Sequence, residues 1–335
     1  MLRIANYYES RLGRNDGNPL YVTAALKRIQ YYSDIAAGRP ANDKLLSWFT
    51  EPDPHAEAIA KEIWEKHGES IDADHLYPTG DTNVFGLWDL NLHVDWGEDA
   101  LIGLIPYEPI QTPKPFAYWA SDTHIKTPNH DSYDYRLSVA KRADYVFCAQ
   151  KAAIDRMKAD GIENPIWLPH AVEPQAYPLQ EVATKRYDVC FVGHVNSANR
   201  MQALDRLFRE FPNFYYGQGL FNDVAKKFGE SRICFNISMT DDINMRTFEI
   251  MSTGSLCLTN WIPTIEDLFQ DGKHLVLYRS LDEMVEKARY YLDHDDEREA
   301  IARAGYEEVR AKHTINHRVK TILDNTILKK VPQLA

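Results

Sequence analysis

The sequence predicts an α/β protein with two parallel-sheet domains. Three observations predict it. Short apolar runs alternate with amphipathic stretches along the whole chain, the pattern of strands feeding helices. The chain has 335 residues, about two domains at ~150 residues each, and either is large enough to bury a core. The alternation stops at residues 173–186, EPQAYPLQEVATKR, which hold two prolines and no periodicity, and then restarts. That segment is expected to be an interdomain linker.

Each element has its own signal. Leu2 to Tyr7 is an apolar run and predicts the first strand. The polar turn GRNDGNP (13–19) follows, and Asn18 with Pro19 opens a helix marked by Tyr21, Ala25, Leu26, Ile29 and Tyr32. Asp53-Pro54 starts a second helix through Ile59, Ile63 and Trp64. Val84 to Val94 is expected to be extended, and the four prolines of 105–115 an irregular connection. Strands are expected at Phe116–Trp119, Tyr145–Cys148 and Ile166–Leu168, and helices at 132–142 and 150–160. After the linker come strand 187–193, helix 199–210, strand Phe214–Tyr216, helix 221–229, strand Ile233–Ile237 and helix 245–253. Strand Ser255–Thr259, a short helix near 263–269, strand His274–Tyr278 and helices 281–293, 295–312 and 316–328 complete the chain. Two such domains are expected to face a cleft lined by strand C-termini and helix N-termini, where α/β folds bind ligands.

Composition narrows the function. Hydrophobic residues at 44% and charged residues at 26% exclude a disordered or fibrous chain. The 38 Lys and Arg against 49 Asp and Glu give a net charge of −11. Non-specific binding to polyanions needs clustered cations, so it is disfavoured outside a local basic groove. No run approaches ~18 apolar residues, so no membrane span is expected. The first twenty residues carry Arg3, Glu9, Arg11, Arg14 and Asp16, so no signal-peptide core is expected there. Cysteines 148, 190, 234 and 257 are widely spaced and form no C-x-x-C pair. They are expected to be reduced core thiols of a cytoplasmic protein. The 19 Tyr and 7 Trp, dense in the first half, supply flat apolar faces with polar tips.

The densest constellation is DDINMRTFEIMSTGSLCLTN (241–260). Glu249 lies in the first turns of a helix, eight residues after Asp241. A helix N-terminus there favours a phosphate through its free N–H groups, and Thr247 lies beside it. A carboxylate one turn in can accept from a ribose diol, and Asp241 on the preceding loop can orient a polar ligand. The competing reading makes Arg246 and Glu249 a solvated i,i+3 surface pair. In FVGHVNSANR (191–200), Gly193 ends a strand where close backbone approach is useful, and Arg200 could clamp a diphosphate. An ordinary turn is the alternative. In FAYWASDTHIK (116–126), Asp122 and His124 follow a strand end. A His there can shuttle a proton or donate to an oxyanion. A metal held with His130 is the weaker rival and a simple turn the plain one, and no metal site is expected. His170 in WLPHAVEP should face the cleft, unless it serves interdomain packing. Gly13 and Gly17 permit a tight turn whose N–H groups could meet a phosphate. Walker A, G-x-G-x-x-G and G-x-S-x-G patterns are absent, which weakens dehydrogenase and serine-hydrolase readings.

In order, these pieces are more specific than any one of them. YDVCFVG, NMRTFEIMSTGSLCLTN, DLFQDGKHLVLY and EREAIARAGYEEVRAKHTINHR (187–318) resemble the nucleotide-sugar-binding domain of GT-B glycosyltransferases, closest to the spore-maturation-protein-like (group 1) branch. SDTH (121–124), ADYVFCAQ (143–150) and WLPHAVEP (167–174) give a looser match in the first half. The resemblance implies two Rossmann-like domains. Residues 1–173 would be the acceptor side and 187–315 the nucleotide-sugar side, with 316–335 a C-terminal helix able to cross back. It implies transfer of a sugar from a nucleoside-diphosphate sugar with retention, and no tightly bound metal or cofactor. In the family's E-x7-E motif the first acid contacts the donor sugar and the second holds the ribose. Those positions here are Asp241, a shorter acid than the family's Glu, and Glu249. Arg200 falls on the family's diphosphate-binding cation, with Arg246 a second candidate. Asp122 and His124 fall near the loop that contacts the donor sugar at its reacting face. The loop 13–18 lacks the family's Gly-Gly pair.

The acceptor stays open among a glycan, a protein, a small molecule and a modified DNA base. Two other classes stay open as well: a sugar-nucleotide epimerase or phosphorylase of the same shape, and a non-catalytic nucleotide- or glycan-binding module.

Overall fold

The first apolar run does form a strand, and it sits inside a six-stranded parallel sheet. The computed structural model describes residues 1–7, 18–76, 88–94, 114–124, 126–127, 130–182, 184–195, 197–219, 221–238, 242–331 and 333. The chain divides into two compact units. One is Met1–Pro169 with Ile315–Ala335, and the other is His170–Thr314.

The first unit begins with β1 (Leu2–Tyr7), α1 (Asn18–Ala36) and a 3-10 turn (Asp43–Trp48). Helix α2 (Pro54–His67) starts where Asp53 accepts from Ala56 N at 3.0 Å, and it stops at Gly68 in the left-handed region (φ 65°). Then come β2 (Ile71–Leu76), β3 (Leu90–Val94) and β4 (Phe116–Ala120). A two-residue ladder pairs β5 (Lys126–Thr127) with β6 (His130–Asp131). Helix α3 (Ser132–Ala140), β7 (Tyr145–Cys148), α4 (Lys151–Ala159) and β8 (Ile166–Trp167) follow. The sheet order is β2-β1-β3-β4-β7-β8, parallel throughout. β4 is buried along its whole length, as an inner strand covered on both faces must be. The extended stretch expected from Val84 is a strand only from Leu90; residues 84–87 lie outside the described residues.

The second unit repeats the plan. It contains β9 (Tyr187–Val192), α5 (Ala198–Glu210), β10 (Phe214–Gly217), α6 (Phe221–Gly229) and β11 (Ser231–Asn236). It continues through α7 (Met245–Ser252), β12 (Leu256–Asn260), a 3-10 turn (Ile265–Asp267) and β13 (Val276–Tyr278). Helices α8 (Leu281–Asp293) and α9 (Asp295–Lys312) close it. The order is β10-β9-β11-β12-β13, again parallel. One face buries Cys190, Cys234 and Cys257 with Phe248 and Met251. The other buries Val189, Phe191, Phe235 and Leu258. All four cysteines are buried thiols, none in a disulfide.

Residues 173–186 are not a free tether. Val172 N donates to His313 O at 3.1 Å, Gln180 N to Thr253 O at 3.1 Å and Ser252 Oγ to Tyr177 O at 2.7 Å, with Tyr177 buried. Single bonds of this kind leave no periodic trace in a sequence.

The chain then re-enters the first unit with α10 (Ile315–Asn325) and α11 (Ile327–Lys330). The single helix expected over 316–328 is broken at Thr326, whose Oγ1 donates back to Ile322 O at 2.7 Å. Helix α10 packs on α1 and α2, where Asn316 Nδ2 donates to both oxygens of Asp53 and Arg28 pairs with Asp53 at 2.8 Å. Among the described residues no helix is long and apolar enough to cross a membrane.

Candidate active site

The strand order of the second unit sets the site. From β9 the chain moves outward to β10; from β11 it moves the other way, to β12 and β13. The two windings part between the C-terminal ends of β9 and β11. That is the topological switch point at which open parallel sheets bind ligands.

Gly193 closes β9. Its N–H donates to Gly217 O at 3.0 Å, its φ is 157°, and a Cβ there would lie 3.2 Å from the Phe191 ring. A side chain would therefore meet both backbone strain and a ring. Ser197 caps α5 by accepting from Arg200 N at 3.3 Å. The Arg200 guanidinium then reaches back. Nη1 donates to His194 O at 2.7 Å and Nη2 to Ile237 O at 2.8 Å, tying the loop after β9 to the end of β11. It also lies 5.6 Å from the centre of the Phe191 ring. Burial, and then the charge of Arg246, lower its pKa, while Asp242 acts in the opposite direction. A guanidinium stays ionised under such shifts. The switch point thus carries a fixed cation.

The other wall is the start of α7. Asn244 is the N-cap and accepts from Thr247 N at 3.3 Å. Buried Asn236, the last residue of β11, orients that cap. Its Nδ2 lies 3.1 Å from each of Asn244 Oδ1, Thr247 Oγ1 and Thr259 Oγ1. Arg246 and Glu249 pair at 2.7 Å, with side chains 23% and 7% exposed. The reading of a solvated surface pair is therefore corrected: Glu249 is buried, as is every residue of α7 from Thr247 to Ser252, and the half-buried Arg246 guanidinium lies 5.5 Å from the Phe228 ring centre. Arg200, Arg246, Thr247, Glu249 and Gly193 are thus gathered at one edge of one sheet. Asp241, the remaining residue of that motif, lies outside the described residues, and so does Gly13.

In the first unit, Asp122 and His124 are half-buried in one turn just past β4. Asp122 adopts φ 51°, a value that side chains seldom take. The turn is held from both sides. Arg136 Nε donates to Ser121 O, and Gln150 Oε1 accepts from Thr123 N at 3.3 Å and Thr123 Oγ1 at 3.2 Å. His130's side chain lies outside the described residues. His170 is buried at the first position of the second unit. Sequence reasoning passed over Asn236, Asn244 and Gln150. Asn244 had a signal, an Asn three residues before Thr247 at a helix start. Asn236 had none, since its partners come from strand register.

This architecture has relatives among solved structures. Sucrose-phosphate synthase from Thermosynechococcus elongatus superposes with a TM-score of 0.57 at 12% identity, over 96% of this chain and 97% of that one. HepE from Anabaena, solved in complex with UDP, gives 0.55 at 12% identity over 97% and 99%. TarM gives 0.51 at 11% identity over 70% of this chain and 54% of TarM, so the likeness spans about half of TarM's length. In sequence, residues 179–324 match the glycosyl transferase-like family. The chain has the GT-B fold. The matched segment holds Gly193, Arg200 and the whole of α7, so the family signal and the switch-point residues coincide. No curated protein matches it in sequence. The match covers less than half of the chain and does not single out the spore-maturation-protein-like branch.

Proposed function

We propose that this protein is a glycosyltransferase that moves a sugar from a nucleoside-diphosphate sugar, with UDP as the nucleotide, onto an acceptor hydroxyl, and that it retains anomeric configuration. The observation that carries the reading is the switch point of the second unit. There a fixed guanidinium, a capped helix N-terminus and a buried carboxylate meet at one sheet edge. That set fits a nucleoside diphosphate. Arg200 and the start of α7, with its Thr247, take the diphosphate; Glu249, held by Arg246, takes the ribose diol; Gly193 lets the backbone approach. HepE's complex with UDP supports the choice of nucleotide.

The chemistry follows from charge. As the sugar–phosphate bond breaks, negative charge grows on the leaving diphosphate. Arg200 and the helix N-terminus are already in place to stabilise it, so side-chain cations carry that charge in place of a resident metal. Asp122 and His124 are assigned to the reacting face of the sugar, Asp241 to its hydroxyls and His170 to the donor. Gly13 is assigned to a backbone phosphate contact.

Thermal melting with UDP tests the nucleotide site. UDP should raise the Tm of the wild type, and Glu249→Ala should lose that rise. An unchanged rise in Glu249→Ala overturns the ribose assignment. Incubating UDP-sugars with an acceptor panel, read by mass spectrometry and NMR of the anomeric proton, tests the reaction. An inverted product refutes retention, and conversion of the donor to its epimer without acceptor refutes transfer.

A further inference from the structure

The C-terminal edge of the second sheet carries an exposed cation that makes no salt bridge among the described residues. Arg279 directly follows β13 and is exposed. Its guanidinium lies 4.3 Å from the centre of the Trp261 ring, a contact that holds a flexible side chain in place. Trp261 is fixed in turn. It follows β12, its backbone N–H donates to Tyr278 O at 2.8 Å, and its indole N–H donates to Glu266 Oε2 at 3.1 Å. Among the described residues no carboxylate pairs with the Arg279 guanidinium. The two neighbouring acids have other hydrogen-bond and ion-pair partners, and the Arg279 charge also acts on Glu283. Glu266 accepts from the indole; Glu283 accepts from the Arg279 backbone N–H at 2.7 Å and pairs with Lys287 at 2.9 Å. A guanidinium that is exposed, braced and free of a salt bridge can take an anion without breaking an existing pair.

Position points to the kind of anion. β13 is two strands from β11, so Arg279 follows a strand end about 10 Å along the edge from the end of β11, one side of the switch point. A hexose linked to a phosphate at the switch point covers that span. We propose that Arg279, braced by Trp261, recognises a carboxylate or phosphate carried by a sugar at this edge. The sugar part rests on the nucleotide-sugar reading; the anion part rests on Arg279 alone. The anion can belong to the donor sugar or to the acceptor, and two arms of one experiment separate these sources.

Calorimetry on the full chain, wild type and Arg279→Gln, would use UDP, then UDP-glucose against UDP-glucuronate, then glucose against glucose 6-phosphate without nucleotide. The wild type should bind the anionic member of one pair at least about tenfold tighter, as a charged hydrogen-bonded pair implies. Arg279→Gln should remove that preference and leave UDP and the uncharged member unaffected. A preference in the nucleotide pair assigns the anion to the donor, and one in the glucose pair assigns it to the acceptor. No anionic preference in either wild-type pair overturns the inference, and so does a preference that survives Arg279→Gln. Failure of UDP to bind the wild type overturns the nucleotide reading separately, because the glucose pair is read without it.

Discussion

Among the described residues each unit holds an arginine–carboxylate pair with a buried carboxylate, and the two pairs differ in what they join. In the first unit Arg28 and Asp53 pair at 2.8 Å with side chains 1% and 7% exposed. Asp53 also caps α2 and accepts from Asn316, so one carboxylate joins α1, α2 and α10. In the second unit Arg246 and Glu249 pair at 2.7 Å inside a single helix. That ion pair ties α7 only to itself, and the Asn236–Asn244 network already fixes the helix start. Burial alone does not separate the two cases. Sequence distance does: a pair that spans 25 residues and recruits a third partner 263 residues from Asp53 is a fold constraint. A pair one turn long at a sheet edge joins no second element by itself.

The largest expected effect follows for the fold constraint. Asp53→Ala should cost about 3–5 kcal/mol, because it strands a buried guanidinium. Urea unfolding of the full chain measures it, and UDP binding should not change. A midpoint equal to wild type would remove the first half of the contrast. The same carboxyl gives an acid signature. Burial opposes its ionisation, but the Arg28 charge and the hydrogen bonds from Asn316 and the Ala56 N–H outweigh burial and hold it below the usual range. The folded chain is therefore harder to protonate than the unfolded one. The stabilisation is complete above the unfolded value of ~3.9 and is lost as pH falls through the lower folded value. The stability gap between wild type and Asp53→Asn should then close below about pH 4.

For the Arg246–Glu249 pair the proposed site role reverses the expected effects. Glu249→Gln keeps the shape of the side chain and removes its charge. It should weaken UDP by about 10- to 100-fold, the worth of a charged hydrogen bond at ~1.5–3 kcal/mol, with a smaller loss in unfolding midpoint than Asp53→Ala. A larger stability loss with intact binding would make the second pair another fold constraint.

The contrast also marks what the sequence could reveal. β9, β11 and β12 are apolar runs because both faces of an inner parallel strand are buried. β2 escaped notice: IDADHL is half polar, which an edge strand beside β1 tolerates. Strand–loop–helix spacing singled out Arg200 and Glu249, and both lie at the C-terminal edge of the second sheet. The burial of Glu249 was not, since i,i+3 spacing fits a wet or a dry face equally. Asn236 was invisible, because its bond to Thr259 depends on the register Asn236↔Thr259 between β11 and β12. Local pattern specifies elements; register and long-range partners specify how their polar groups meet.

Tyr278 differs from both pairs and sharpens the contrast with the smallest change. It is 4% exposed, and among the described residues its hydroxyl has no hydrogen-bond partner. Its ring stacks 5.8 Å from that of Phe235, so packing holds it where charge and hydrogen bonds hold Asp53. Burial pushes its hydroxyl pKa well up, and the charge of Arg200 pulls it back only in part. Tyr278→Phe removes one oxygen and keeps the ring. An unsatisfied buried hydroxyl costs its own desolvation, about 1–3 kcal/mol, so the variant should match the wild type or gain up to that amount in urea unfolding. A loss of stability would mean that the hydroxyl has a partner that matters to the fold. Unchanged or raised stability with weakened UDP binding would instead add the hydroxyl to the groups that act with Arg200 at the switch point. The two measurements together therefore place Tyr278 with the first pair, with the second, or with neither.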